Sequence, residues 1–217
     1  MCSYVQTTSS YPPTVHESRR KISFVEKLGG ITTNPRETFG LLVNYYGSEV
    51  EATVVFFTYT IVKFFLITVA MYKLIPLFRY SPILSSLEPI FNVPATLLLL
   101  ISIGLCVASI MSWLINGVIT HLFAKHLFHG VGNLREALLL YRYIGITNVF
   151  PIVGSLVIIA WPSYVTFNIF IINYLVYILW KALLTVIAVE ETYGISEVAA
   201  FVSGVAIPLM VGLMFLL

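Results

Sequence analysis

Long stretches of this chain carry almost no charge, and they constrain its fold more than any other feature. Five apolar stretches cover about residues 50–75, 93–122, 138–160, 167–189 and 198–217. Each has about the 20 apolar residues that a helix needs to cross the hydrocarbon core of a bilayer. Only 10% of the 217 residues are charged, too few for a water-soluble surface. The sequence predicts an all-α integral membrane protein with five transmembrane helices.

Prolines and a glycine indicate where these spans end or break. Pro76 follows the first span and is expected to end it, because proline cannot donate a helical hydrogen bond. Pro151 and Gly154 lie inside the third span, which predicts a kinked or broken helix. Residues 161–163 are expected to form the turn into the fourth span.

The segment before the first span is polar at its start and amphipathic later. Residues 1–17 are rich in Ser, Thr, Tyr and Pro, which predicts a flexible polar tail. Residues 18–49 predict one or two amphipathic interfacial helices. The first is expected to stop at Gly29 and Gly30.

The second interfacial helix has a defined start. Asn34, Pro35 and Glu37 suit the N-cap, first and third helical positions, which predicts a capping box. The helix is expected to lie in the membrane interface with its ring-bearing face toward lipid. That face comprises Phe39, Leu42, Val43 and Tyr46.

Basic residues are unevenly distributed around the spans, and cytoplasmic segments are those that carry excess Lys and Arg. Lys73 and Arg79 lie on one side. The other side holds Arg19, Arg20, Lys21, Lys27, Arg36, Lys125, Arg135 and Arg142. The amino terminus is therefore predicted to be cytoplasmic, and five spans then place the carboxyl terminus outside.

Three segments occur in an order known from one membrane-protein family. They are a helix entry, a glycine loop with the third span, and the end of the fourth span with its hinge. Their residues are Asn34 to Phe39; Gly130, Leu138, Tyr143 and Pro151; and Trp180 with Ser196 to Ala200. In these segments the chain, over about residues 20–217, resembles the Yip family, the Ypt/Rab-interacting five-span membrane proteins, and especially its plainer bacterial and archaeal version.

The resemblance implies a helical bundle with a cytoplasmic amino terminus, in a family known for membrane trafficking and protein association. Its eukaryotic members carry an Asp-Leu-Tyr-Gly-Pro motif before the first span. Residues 44–48 (Asn-Tyr-Tyr-Gly-Ser) match that motif only at Tyr and Gly. This departure argues against a Rab-type GTPase partner.

Polar residues inside the apolar stretches form the first candidate site. Lys63 lies near the middle of the first span, where an ionised side chain is costly and needs a partner. The candidate intramembrane polar site comprises Lys63, Asn116, Asn148, Asn173 and Lys181. It predicts either an ion, lipid or proton site, or polar contacts that only hold the helices together.

Charges at the ends of the spans form the second candidate site. We expect a cytoplasmic charge clamp between basic residues beside the third span and acidic residues at the hinge of spans four and five. Its members are Arg135, Arg142, Glu190, Glu191 and Glu197. Interfacial ion pairs of this kind contribute about 0–1 kcal/mol each, so a structural clamp is favoured over a cation or partner site.

Several functional classes lack their residues. The chain has no Asp, which excludes motifs built on aspartate, such as EF-hand loops. His121, His126 and His129 do not share one helical face, so no metal site is expected. Ser203 has no activating base in its sequence neighbourhood. We expect no enzyme activity, no cofactor and no nucleic-acid partner, and the lipid bilayer itself is the first partner.

Two hypotheses follow. The first is a non-enzymatic Yip-type protein that acts by association, as a homo-oligomer or as an accessory subunit of a membrane assembly. The second is a transporter or channel for a small solute or ion, with a polar site around Lys63 at the membrane midplane. A polar cavity around Lys63 favours transport, whereas a dry, tightly packed bundle with an exposed apolar flank favours association.

Overall fold

Every regular element in the described part of the chain is helical. The computed structural model describes residues 22–79 and 94–214, so the predicted polar tail and most of the loop before the second span lie outside the described residues. The helices are α1 (Phe24–Thr33), α2 (Pro35–Leu41), α3 (Glu49–Arg79), α4 (Ala95–His126), α5 (Leu134–Tyr143), α6 (Val149–Ala160), α7 (Tyr164–Tyr193), α8 (Glu197–Phe201) and α9 (Ile207–Met214).

Five helical segments are long and apolar enough to cross a membrane. They are Glu49–Leu77, Ala95–His126, Leu134–Ala160, Tyr164–Tyr193 and Glu197–Met214. This confirms the predicted all-α fold with five spans, and the chain is a multi-pass membrane protein. A bilayer core offers no hydrogen-bond partners to the backbone, so each span satisfies its own amides and carbonyls as helix.

Several span bounds differ from the prediction. The second span ends at His126 instead of about 122, and the third begins at Leu134 instead of about 138. Pro76 does not end the first helix, because α3 continues through it to Arg79. Transmembrane helices tolerate proline, since neighbouring groups can satisfy the carbonyl that loses its partner. The fourth span, α7, extends past its predicted end to Tyr193 and so includes Glu190. It ends where Gly194 takes the left-handed conformation, with φ 62° and ψ 32°, a backbone shape that glycine adopts without strain.

The third and fifth spans are both broken near their middles. A 3-10 turn at Ile144–Asn148 separates α5 from α6, so the break lies before Pro151. Proline is tolerated there because it falls in the first turn of α6, where amides have no helical acceptor. In the fifth span a π turn at Val202–Ala206 separates α8 from α9.

The helices before the first span differ from expectation at their joint. Gly29 and Gly30 do not stop α1, which continues to Thr33. As predicted, α2 begins at Pro35, but the Asn34 side chain caps no backbone amide. Its Nδ2 donates to Glu37 Oε2 at 2.5 Å instead, because Asn34 also ends α1 and its backbone amide is bonded to Gly30 O.

The apolar face of α2 packs against protein, and its predicted orientation toward lipid is wrong. Phe39 is fully buried, as are Leu42 beyond it and Ile31 of α1, in one cluster with Leu140 and Leu184. The reason is the length of the fourth span, because α7 reaches far enough to cover α2. Burial on a protein surface removes as much apolar area from water as burial in lipid.

Ion pairs fix the same docking. Lys27 Nζ of α1 lies 2.5 Å from Glu51 Oε2 in the first turn of α3. Arg36 Nη2 of α2 lies 2.7 Å from Glu190 Oε2 in the last turn of α7. We call the end of the bundle where α1 and α2 meet these two turns the amino-terminal end.

We expect Phe39→Ala to loosen this docking. Removing a fully buried phenylalanine side chain costs about 3–5 kcal/mol through lost burial and the cavity that it leaves. The thermal midpoint in detergent should fall, and trypsin should cleave faster after Lys27 and Arg36. Val25→Ala is the matched control, because Val25 is 76% exposed on α1. Equal effects of the two substitutions would contradict the docked arrangement.

Candidate intramembrane binding site

A cavity of about 510 Å³ lies inside the bundle, within the roughly 300–1,000 Å³ of small-molecule sites. Lys63, on its wall, is the middle residue of the span Glu49–Leu77. Asn148 and Tyr177, also on its wall, lie within two residues of the middles of their own spans. The cavity therefore lies at the depth of the membrane midplane.

All five spans contribute to the cavity wall. Aromatic and aliphatic side chains such as Phe56, Trp113 and Ile144 form part of it. The other part is polar and is formed by Thr60, Lys63, Ser109, Ser112, Asn116, Thr147, Asn148, Tyr177, Lys181 and Thr185. The mixture of apolar walls and a few converging polar groups is typical of ligand pockets.

Two lysines flank one tyrosine in this wall. Lys63 is 5% exposed, and its Nζ lies 4.3 Å from the centre of the Phe64 ring and 5.7 Å from that of the Tyr177 ring. Lys181 Nζ lies 5.8 Å from the centre of the same Tyr177 ring. Ring faces attract cations, but they do not neutralise them. Among the described residues that line the cavity, none is acidic.

The broken third span supplies a further polar group. Its 3-10 turn carries Asn148 into the cavity wall, where Nδ2 donates to Thr60 Oγ1 at 3.5 Å, at the long limit of a hydrogen bond. Trp113 Nε1 is buried and, within the described part of the chain, has no hydrogen-bond partner. A buried donor without an acceptor is costly.

The cavity is open on one flank. Its inner wall is deeply buried: Thr60, Lys63, Asn148 and Tyr177 are each 5% exposed or less. Other lining residues face outward on the surface of the spans. They are Ser112 of α4, Ile178 and Lys181 of α7, and Leu209 and Leu213 of α9. The mouth therefore opens sideways between α4, α7 and α9.

The structure brings together four of the five residues of the predicted polar site. Lys63, Asn116, Asn148 and Lys181 all line the cavity, whereas Asn173 does not. Asn173 instead lies where α6 and α7 pack closely, beside Gly154, and its Oδ1 is buried without a hydrogen-bond partner among the described residues.

No family model matches the chain, and neither a curated protein nor a solved structure does. The Yip resemblance therefore stays a prediction. What can be said of function rests on the geometry of the cavity and on the physical cost of its polar groups at that depth.

Sequence reasoning missed three important members of the cavity wall, namely Tyr177, Thr60 and Trp113. Each precedes a recognised polar residue by three or four positions, as Tyr177 precedes Lys181. Side chains at this spacing share one face of a helix. A search one helical turn before each recognised polar residue, along its own span, would have found all three.

The predicted charge clamp does not form as a unit. Glu190 and Glu191 pair with Arg36 of α2, at 2.7 and 3.9 Å, rather than with Arg135 or Arg142. The reason is that α2, docked on the end of α7, brings its own arginine to these glutamates.

The remaining clamp residues face other partners. Arg135 pairs with Glu49 of α3. Arg142 donates to Thr53 Oγ1 at 3.0 Å and lies over the Trp113 ring. Glu197 is exposed, and no ion pair found in the described ranges includes it. The α5 arginines therefore join the third span to the first and second.

Lys63→Met should leave the free energy of unfolding in detergent unchanged or raise it by on the order of 1 kcal/mol, because an apolar isostere replaces a buried cation without a carboxylate partner. The thermal midpoint measures the direction. Lys27→Met is the matched control, since that equally buried lysine is paired with Glu51. The control should lose about 1 kcal/mol. A marked loss for Lys63→Met would instead assign Lys63 a structural role.

Proposed function

We propose that this protein is a membrane transporter that carries a small solute through the cavity around Lys63. The observation that carries the proposal is a polar cavity at midplane depth, walled by all five spans. Ionisable residues at that depth are costly, and in membrane proteins they mark substrate and ion pathways. Of the two hypotheses from the sequence, a polar cavity around Lys63 favours transport.

The helix breaks support the same function. The 3-10 turn of the third span and the π turn of the fifth both contribute residues to the cavity wall, including Asn148 and Gly204. Transporters commonly form their midplane sites from discontinuous helices, and π turns are frequent at functional sites. Such joints let the halves of a span move relative to each other.

Association with other subunits stays a prediction. Of the five spans, the second is the least covered by protein, with 6% of its most apolar window buried. Lipid is a sufficient cover for an apolar helix, so this exposure does not require a partner subunit. The proposed orientation places the amino-terminal end in the cytoplasm. It is supported by the excess of Lys and Arg there, including Lys27, Arg36 and Arg135.

Transport requires water to reach the cavity from each face of the membrane in turn. We expect Thr60→Cys, in a background with both native cysteines replaced by serine, to react with a membrane-impermeant charged thiol reagent added to either side of sealed vesicles. Thr60 is 1% exposed and lies on the inner wall, so only a hydrated path reaches it. Two-sided labelling is the expected result.

Two other cysteines calibrate this measurement. Ala108→Cys faces outward from α4 at a similar depth and should not react, because these reagents do not enter lipid. Glu197→Cys, at the exposed start of α8, should react only from the cytoplasmic face. Labelling of Thr60→Cys from one face only, or from neither, would contradict transport.

A further inference from the structure

The charge of the cavity points to the class of solute that it accepts. Lys63 and Lys181 are its ionisable cations, and no described residue of its lining is acidic. Charge that is buried in a low-dielectric site needs a counter-charge nearby. Because the described lining supplies no carboxylate, an acidic ligand that enters the cavity is a source of that negative charge.

The hydrogen-bond donors of the cavity agree with its charge. The centre of the Tyr177 ring lies 5.7 Å from Lys63 Nζ and 5.8 Å from Lys181 Nζ, so the two ammonium groups converge on one part of the wall. Lysine donates but does not accept. The two ammonium groups therefore fit the oxygens of an acid.

The position of the mouth indicates how such a ligand enters the cavity. The mouth opens sideways at the depth of the lipid chains, and Lys181 lies in it, exposed. An ammonium group facing hydrocarbon is costly, which an acidic group entering from the side relieves. Leu209 and Leu213, 61% and 52% exposed, line the mouth beside it.

We propose that the solute is an anionic amphiphile with a carboxylate or phosphate headgroup and an aliphatic tail. The headgroup lies between Lys63 and Lys181 at the Tyr177 hydroxyl, and the tail leaves through the mouth along Leu209 and Leu213. This inference deepens the proposed transport function, because it names the class of solute for the same cavity. Free fatty acids and anionic phospholipids share this chemistry.

Matched ligands separate headgroup charge from tail length. The protein is purified in a neutral detergent, and binding is titrated by native mass spectrometry with oleate against oleyl alcohol, and with phosphatidate against diacylglycerol. At least one acidic ligand should bind about tenfold or more tightly than its neutral partner, as charge-assisted hydrogen bonds predict. Preference for oleate assigns the site to free acids, and preference for phosphatidate alone assigns it to lipids.

Lysine variants test whether this preference belongs to the cavity. Lys63→Met and Lys181→Met should each reduce it about tenfold, whereas Lys63→Arg keeps a cation and should retain most of it. Lys73→Met is the control, because Lys73 is exposed on the same helix as Lys63 and does not line the cavity. Gel filtration and thermal midpoints establish that each variant is folded.

Each outcome decides the inference. Equal binding of acidic and neutral ligands overturns it, as does a preference that survives in the Lys63→Met and Lys181→Met double variant. The transport function is decided separately by the labelling of Thr60→Cys. Two-sided labelling without an acidic preference leaves transport standing and removes the anionic solute, whereas the reverse leaves an anion-binding site that does not transport.

Discussion

A bilayer core solvates neither a backbone amide nor an ammonium group, and the architecture of this protein follows from the two ways that it meets this constraint. The backbone meets it within each span, as helix. Lys63 cannot, because the ring beside its Nζ within its own span, that of Phe64, attracts a cation without neutralising it. The other four spans therefore surround Lys63 with the polar groups of a cavity, and the position of that lysine in the first span sets the depth of the site.

The bundle is packed at its ends and open in its middle. At the amino-terminal end, one buried cluster around Tyr143 joins α1 and α2 to the spans, and a second around Tyr193 joins α4, α5, α7 and α8. At the opposite end, Ala70, Leu74 and Ile158 form a third cluster. Between them the two broken spans leave the helical path at midplane depth. Packed ends hold the helices in register, so the cavity keeps its shape without a continuous core.

What the sequence could predict was local. The five spans could be predicted because each apolar stretch must become helix wherever lipid surrounds it, whatever its neighbours are. Lys63 and Asn148 could be recognised because a polar residue in such a stretch is costly in any arrangement. The grouping of four predicted polar residues in one cavity follows from the same depth, since each lies toward the middle of its own span.

What the sequence could not predict depended on neighbours. Phe39 has the same helical periodicity whether its face meets lipid or protein, and only the packing of α2 on α7 decides between them. The partner of Glu190 is equally non-local: Arg36 is 154 positions away along the chain. Arg135 and Arg142, nearer in sequence, contact α3 instead. The predicted capping box at Asn34 does not form, because this one residue both follows the end of α1 and precedes the start of α2.

The two buried lysines show how this protein separates structure from function. Lys27 and Lys63 are equally buried, at 6% and 5% exposed, but Lys27 has a carboxylate from the neighbouring helix and joins two elements. Lys63 has no carboxylate partner among the described cavity-lining residues. A fold selected only for stability would exchange Lys63 for an apolar residue, and the retention of this unpaired lysine therefore supports the proposed binding site.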